Sequence, residues 1–388
     1  MKLNFKKLKK VPVIIFDKER SADLASVLLE NIEYEVLPSR REEIYVNWRV
    51  LIVFIGLSIR FILINLFNKK LLASSKLFVR GLFLQYFKSV IFLTKPKVVI
   101  TFIDNSFFFQ LCSKEIPEIN FWAIQNGFRC ELDVTRWLPD YPKHEKIFLQ
   151  RFYCFGEFEK DLYLRNSHRV NEFRAVGSFF LGQFLETVQS VPVEDIYDIC
   201  LISNYIHDLT DRDTRGIARA NVKLAMYLSK FLKENRLRTI IALRANDPFE
   251  KEFYRKYFGE SVEFTDRTLT KFSTYHAIWQ SRLSITFFST VGFEALGMGK
   301  KIVFLNYSRI PEFNPSMSGT WFSSEEKYEV FKAVVTKNLN MSKNEFNKLA
   351  ADFQKYTMNV SQNVYTHRFI RKDIESVLNI TNGTEETT

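Results

Sequence analysis

Apolar residues along this chain alternate between two arrangements. Short continuous runs, suited to strands buried in a sheet, are followed by stretches in which apolar positions recur at helical spacing. Val11–Asp17 reads as a strand, Ser21–Ile32 as a helix with serine at its start, and Tyr34–Leu37 as a second strand. Two long apolar segments interrupt: Val50–Ile59 and Phe61–Phe67, broken by Arg60, then the basic-studded Leu71–Leu93. The alternation resumes with strand Val98–Asp104, helix Phe107–Lys114, strands Asn120–Gln125 and Ile147–Phe155, helix Phe158–Arg165 and strand Phe173–Val176. It lapses at Val188–Asp195, around Pro192, and then restarts.

The second series reads as strand Tyr197–Ser203, a polar loop, and a long helix from Thr214 to Glu234. Strand Thr239–Arg244, helix Pro248–Phe258, strand Val262–Phe264, helix Phe272–Gln280, strand Leu283–Phe288, helix Val291–Met298 and strand Ile302–Asn306 follow. Helices near Ser324–Asn338, Lys343–Thr357 and His367–Leu378 end the pattern. Two β-α-β series joined by a short linker predict an α/β fold of two doubly wound, mostly parallel sheets facing a cleft, with extra C-terminal helices. The boundaries expected are 1–190, 191–378 and a disordered tail over 379–388. In such sheets ligands sit at the carboxyl ends of the strands, so the loops there are where chemistry is sought.

At 388 residues and 46% hydrophobic, the chain has two to three domains' worth of sequence and excludes extended disorder. Its formal charge of +11 implies an anionic partner, and Lys2, Lys6, Lys7, Lys9 and Lys10 all precede the first acid, Asp17. That cluster reads either as a solvated tail or as an anchor on anionic lipid. Arg60 argues against residues 50–67 spanning a bilayer and for an amphipathic helix touching one. Aromatic residues follow core periodicity and are not interleaved with basic ones, so no nucleic-acid partner is expected. Four scattered cysteines give neither a disulfide framework nor a zinc site, and no signal peptide is visible. A cytoplasmic protein, peripheral at the inner membrane surface, is the expectation.

The strongest chemical signal is Ser284–Lys301, where a buried strand ends at Ser289-Thr290 and a helix starts at once. Free N–H groups at that start, with the two hydroxyls, suit a phosphate. Gly292 would let a ligand approach the backbone, and Glu294 could accept from a ribose diol or stand as an ordinary first-turn acid. Arg244 supplies positive charge at another strand end, beside Asp247-Pro248. On the first half, Asp104, Asn105, Gln125, Asn126 and Arg129 mark strand ends with the amides, carboxylate and guanidinium an acceptor sugar needs. Asp104 reads equally as a helix cap and Arg129 as one half of an ion pair. In the loop Asn204–Thr214, Asp208, Asp211 and Asp213 face the expected cleft, and one of them could act as a nucleophile; Asp211 or Asp213 could instead merely cap the next helix. His276, beside Trp279, reads as structural, and His144, His168 and His367 show no pattern. Nucleotide-binding P-loop, early G-x-G-x-x-G, H-E-x-x-H and G-x-S-x-G motifs are all missing. Asp211-Arg-Asp213 has the D-x-D spacing but falls in a second-half loop, so no metal and no cofactor is expected.

Three segments carry a resemblance. Ser289-Thr-Val-Gly-Phe-Glu-Ala-Leu-Gly-Met-Gly-Lys300 resembles the C-terminal donor-binding motif of GT-B glycosyltransferases. Phe155-Gly-Glu with Phe173-Arg-Ala-Val-Gly-Ser178 resembles the segment that closes the N-terminal domain of that fold. Ala123-Ile-Gln-Asn-Gly-Phe-Arg129 is similar to a Gln/His-Gly strand end in transferases that build capsules, teichoic acids and lipopolysaccharide. The resemblance spans residues 100 to 306 and comes nearest to the surface-carbohydrate group related to retaining β-Kdo transferases. It implies a GT-B-like fold of two Rossmann-like domains. It also implies a nucleotide-sugar donor, with CMP-Kdo preferred, a glycolipid or oligosaccharide acceptor of a lipopolysaccharide, O-antigen or capsule, and a catalytic aspartate in the 208–213 loop. Related chains often carry His-Pro where this one has Asp247-Pro248, a departure that weakens the CMP-linked donor. A polyol-phosphate transferase of the teichoic-acid type, a sugar-nucleotide 2-epimerase and a non-catalytic basic scaffold are the rival readings.

Overall fold

The computed structural model describes residues 2–40, 43–67, 75–135, 146–189, 194–206, 214–245, 247–360 and 364–380. Strands β1 (Lys2–Asn4) and β4 (Glu43–Tyr45) form a small parallel pair that the sequence pattern did not signal. The first large sheet holds β2 (Val13–Phe16), β3 (Tyr34–Leu37), β5 (Val98–Thr101), β6 (Asn120–Ile124), β7 (Phe148–Cys154) and β8 (Arg169–Ala175). Its order is β3-β2-β5-β6-β7-β8, parallel throughout. Helices α1 (Ser21–Leu28), α2 (Trp48–Phe67), α3 (Ser75–Thr94), α4 (Phe107–Glu115), α5 (Glu131–Thr135), α6 (Glu157–Arg165) and α7 (Phe179–Val188) accompany it.

The second sheet holds β9 (Tyr197–Ile202), β10 (Thr239–Ala242), β11 (Glu263–Phe264), β12 (Ser281–Thr286), β13 (Ile302–Leu305) and β14 (Phe322–Ser323). Its order is β11-β10-β9-β12-β13-β14, also parallel. Counted along the chain this is 3-2-1-4-5-6, the dinucleotide-fold order. Its helices are α8 (Thr214–Asn235), α9 (Pro248–Phe258), α10 (Ser273–Trp279), α11 (Thr290–Gly297) and α12 (Tyr328–Asn340), followed by α13 (Lys343–Thr357) and α14 (Thr366–Leu378). The central strands are buried on both faces, which is why they read as unbroken apolar runs: Val13–Phe16, Val98–Ile100, Ile240–Ala242 and Ile302–Leu305 are all under one-tenth exposed.

Helix α7 falls just before the expected break and was missed. Ser178 caps it, its hydroxyl accepting from the Leu181 N–H, and Leu181, Phe184 and Val188 give it a buried stripe at helical spacing. The last helix crosses back to the first sheet. Ile370 and Ile374 of α14 are fully buried with Val13, Ile15 and Trp122, and Asp373 accepts from the Tyr153 hydroxyl at 2.8 Å. The expected 191–378 unit follows chain continuity, whereas α14 is held by the sheet that the first half builds. Of the expected tail, residues 381–388 lie outside the described residues.

Candidate functional site

Each sheet has a point where strand order reverses, and there the loops leaving adjacent strands diverge and open a crevice. In the second sheet it lies between β9 and β12, so the loop after β9 and the Thr286–Thr290 turn share one edge. Asn204 ties these loops together. Its side-chain oxygen accepts from the Thr286 hydroxyl at 2.8 Å, and its amide donates to the Phe288 carbonyl at 2.7 Å. The loop continues into residues 207–213, so Asp208, Asp211 and Asp213 lie outside the described residues.

Ser289 stands at the extended position before α11, and its side chain makes no capping bond to the helix. Thr290 is half-buried, and its hydroxyl accepts the Phe128 N–H from the opposite domain at 2.9 Å. Phe128 then stacks on Phe293 of α11 with ring centroids 3.6 Å apart and planes 7° off parallel. The loop after β6 therefore sits directly on the start of α11, and both domains contribute to this spot.

Gly292 does not face the crevice. It is buried against the sheet, and a Cβ there would come within 2.8 Å of Thr286 Cγ2 and 3.0 Å of Phe304 Cε1. The expectation that it admits a ligand is corrected: the missing side chain lets α11 lie close on β12 and β13. Glu294 is only 3% exposed, bonded to the Ser178 hydroxyl of the first domain, with the Tyr275 hydroxyl also in reach. Burial pushes its carboxyl up to about 7, and those two hydroxyls pull it part of the way back. In this structure it closes a domain contact instead of projecting into an open cleft.

Arg244, at the end of β10, is exposed and donates to the Tyr205 carbonyl at 3.1 Å, so it reaches toward the loop after β9. Its own backbone N–H is held by Glu250 at 2.8 Å. Asp247 is engaged in capping α9, accepting from the Phe249 N–H at 2.9 Å.

On the first sheet, Asp104 is completely buried at the end of β5. Its carboxylate takes the Arg129 guanidinium on two nitrogens, Nε at 3.1 Å, and accepts the Asn126 N–H at 3.3 Å. Arg129 also donates to the Asn126 side-chain oxygen. Burial opposes the guanidinium charge, but Asp104 outweighs it and the pKa is raised. Ser106, not Asp104, caps α4. Gln125 is 1% exposed and committed on both sides. It donates to the Gly127 carbonyl at 2.9 Å and to Glu159 at 2.8 Å, and it accepts the Phe155 N–H at 2.8 Å. The acceptor reading of Asp104 and Gln125 is thus corrected, because a strand-end polar group enclosed by neighbouring loops satisfies those loops first. Asn105 and Asn126 are half-buried beside them.

Several groups were not anticipated. Glu159 is fully buried, and burial pushes it up to about 8 even though Gln125 and the Gly156 N–H stabilise its charge. Its place three residues after the N-cap of α6, where its oxygen accepts the Gly156 N–H at 3.1 Å, is half of a capping box and could have placed it. Lys271 links the domains, donating to Gln183 at 2.9 Å and to Asp23 at 3.4 Å. Arg20 lies over the Phe180 ring at 5.1 Å in left-handed backbone, φ 58°. No short motif announces either residue. His276, read as structural, packs against Phe184 with ring centroids 5.1 Å apart, and His168 bonds the Val134 carbonyl at 3.0 Å. His367 pairs with Glu186 at 2.8 Å, and His144 lies outside the described residues.

Residues 122–373 match the model of a family described as "putative O-antigen biosynthesis protein". No curated protein matches the chain. Among solved structures, UDP-GlcNAc 2-epimerase from Neisseria meningitidis bound to UDP-GlcNAc is similar with a TM-score of 0.52 and 15% identity, over 98% of this chain and 100% of that one. A UDP-N-acetylglucosamine 2-epimerase reaches 0.54 at 14% identity, with 96% of each chain covered. The one from Rickettsia bellii reaches 0.52 at 16%, again over 96% of each. At these identities the likeness is one of fold: two doubly wound, GT-B-like domains facing a cleft.

Proposed function

This chain belongs to that O-antigen biosynthesis protein family, and from that premise we propose that it is a nucleotide-sugar-dependent glycosyltransferase acting on a glycolipid or oligosaccharide acceptor at the cytoplasmic face of the inner membrane. The observation that carries the reading is the reversal point of the second sheet. There the start of α11, the loop after β9 and Arg244 converge on one edge. A donor diphosphate or phosphate would lie at the α11 start, over Ser289 and Thr290, where the helix dipole favours negative charge. Arg244 would neutralise charge on the leaving nucleotide as the glycosidic bond breaks. An aspartate among Asp208, Asp211 and Asp213 would attack the anomeric carbon if the stereochemistry is retained, and the acceptor hydroxyl would then displace it. Donor entry requires the Gly127–Phe128 loop to lift from Thr290, because the two are in contact. CMP-Kdo is the preferred donor by resemblance alone.

The 2-epimerase reading is the rival that the full-length structural likeness favours. The test is a thermal-shift series with CMP, CDP, UDP, GDP and dTDP, followed by incubation with the sugar nucleotide of the base that binds. A ligand at a hundredfold excess over its Kd stabilises the folded state by about 2.7 kcal/mol. Selective stabilisation by CMP, with acceptor-dependent sugar transfer, is the expected result. CDP selectivity would favour polyol-phosphate transfer. UDP selectivity with isomerisation of UDP-GlcNAc in the absence of acceptor would make the protein an epimerase. No shift with any nucleotide would overturn the donor site.

A further inference from the structure

Helix α2 is only sparsely embedded in the first domain. It is 20 residues long, about 30 Å at helical rise, and apolar almost from end to end. By length and composition it passes as a membrane span, with mean hydropathy 2.1, yet only 11% of it is buried. Its exposed residues are not scattered. Trp48, Ile52, Ile55, Ile59, Leu63 and Leu66 recur at intervals of three and four, and each is about half exposed or more. They form one continuous stripe, with the exposed Arg49 and Arg60 along its flank. A contiguous apolar face of this extent marks an interaction site.

The opposite face of α2 is fastened to the protein. Val50 is 2% exposed and Ser58 is 8% exposed. Phe61 lies so flat on α3 that its Cζ would stand 2.1 Å from a Cβ at Gly81. Helix α3 in turn drives Phe87, Val90 and Ile91 into the core of the first domain. Spanning a bilayer would require α2 to leave that seat and would carry Arg60 to mid-depth, where a cation is costly. The helix is therefore built to lie along a surface.

Charge selects the surface. From Ile44 to Ile103 the chain carries nine Lys or Arg and no Asp or Glu. The lysine-rich start of the chain adjoins the same end of α2: Phe5, Lys7, Trp48, Arg49 and Leu93 line one hollow of about 380 Å³. Phe5 is 76% exposed and Trp48 65%, the kind of aromatic side chain that settles at a headgroup boundary. Lys6 of this segment is paired with Glu35 at 2.8 Å, but the face as a whole stays strongly cationic, and a second copy of this chain would set that excess charge against itself. An anionic bilayer supplies both the apolar interior for the stripe and the phosphates for its flank.

We propose that the outer face of α2, with the Lys2–Lys10 segment beside it, is a docking surface for an anionic lipid bilayer, on which the helix lies in plane without crossing. The proposal shares with the preceding section only the membrane setting of the acceptor and does not depend on the donor site, so nucleotide stabilisation and vesicle binding can fail separately. The experiment is flotation of the full chain with phosphatidylcholine vesicles and with vesicles one-third phosphatidylglycerol, at low and high salt. The wild type is expected to float with the anionic vesicles and to be released partly by salt. Ile52→Ser with Ile59→Ser removes two side chains from the centre of the stripe and is expected to weaken partitioning by more than about tenfold. Arg49→Gln with Arg60→Gln is expected to weaken binding to anionic vesicles severalfold and to leave weak binding to neutral ones unchanged. Both pairs are exposed, so melting temperature and nucleotide stabilisation should match the wild type. Wild-type protein that ignores anionic vesicles, or Ile52/Ile59 variants that float as well as wild type, would overturn the proposal. So would a dimer in solution that the same variants dissolve while vesicle binding is absent.

Discussion

Replacing Glu294 by Gln should change the pH dependence of stability and little else in the fold. Glu294 is 3% exposed, and burial holds its carboxyl at about 7 against an ordinary 4.5, with Ser178 and Tyr275 partly opposing. The folded protein therefore keeps a proton on this group between pH 4.5 and 7 that the unfolded chain has released. A raised carboxyl pKa gives stability that is fully present below 4.5 and is lost as pH rises through 7. At about 1.36 kcal/mol per pH unit, the whole loss is about 3 kcal/mol. Gln keeps the shape and an oxygen to accept from Ser178 but cannot ionise. Glu159, pushed up to about 8, has the same sign, remains in both proteins and cancels in the comparison. Scanning calorimetry of wild type and Glu294→Gln from pH 5 to 8 should show the variant gaining on the wild type as pH rises, by roughly 6–12 °C in Tm if the second domain melts as one unit. Parallel curves over that range would refute the reasoning, since they would mean the carboxyl is not held neutral by burial.

Gly292→Ala should cost about 1–3 kcal/mol of stability through the 2.8 Å and 3.0 Å contacts its Cβ would make with Thr286 and Phe304. Wild-type melting combined with lost nucleotide stabilisation would instead return Gly292 to a ligand-facing role. Arg129→Met strands the fully buried Asp104 carboxylate and should destabilise by about 3–5 kcal/mol in urea unfolding, while Asp104→Asn in addition should recover most of that loss. A single variant that unfolds like wild type would mean Arg129 is free to meet substrate.

Most of the architecture could be read from local pattern. Strands buried on both faces, such as Val98–Ile100 and Ile302–Leu305, advertise themselves as apolar runs, and Ser342 or Asp247 before a helical period marks a start. Helix α7 escaped because its apolar stripe runs straight into the proline-containing linker, and β1 and β4 because three-residue pairs carry no periodicity. At the site, the positions of Ser289 and Thr290 at a strand-to-helix turn were legible, since that depends only on neighbours in sequence.

Which groups face the cleft was not legible. Asp104 and Arg129 lie 25 residues apart, Ser178 and Glu294 116, Phe128 and Thr290 162. A polar side chain at a strand end looks the same in sequence whether it awaits a ligand or ties two loops. Only chain segments brought together from afar can enclose it, remove its water and supply the partner that burial then demands. The sequence by itself determined the two parallel sheets, their helices and the strand ends where chemistry belongs, because periodicity and capping act within a few residues. The tertiary structure alone decided that Asp104 and Gln125 are internal ties, that Gly292 serves packing, that Glu294 closes a domain contact, and that α2 keeps an apolar face uncovered. Burial is a property of the assembled molecule, and it converts the same residue from a reactive group into a structural one.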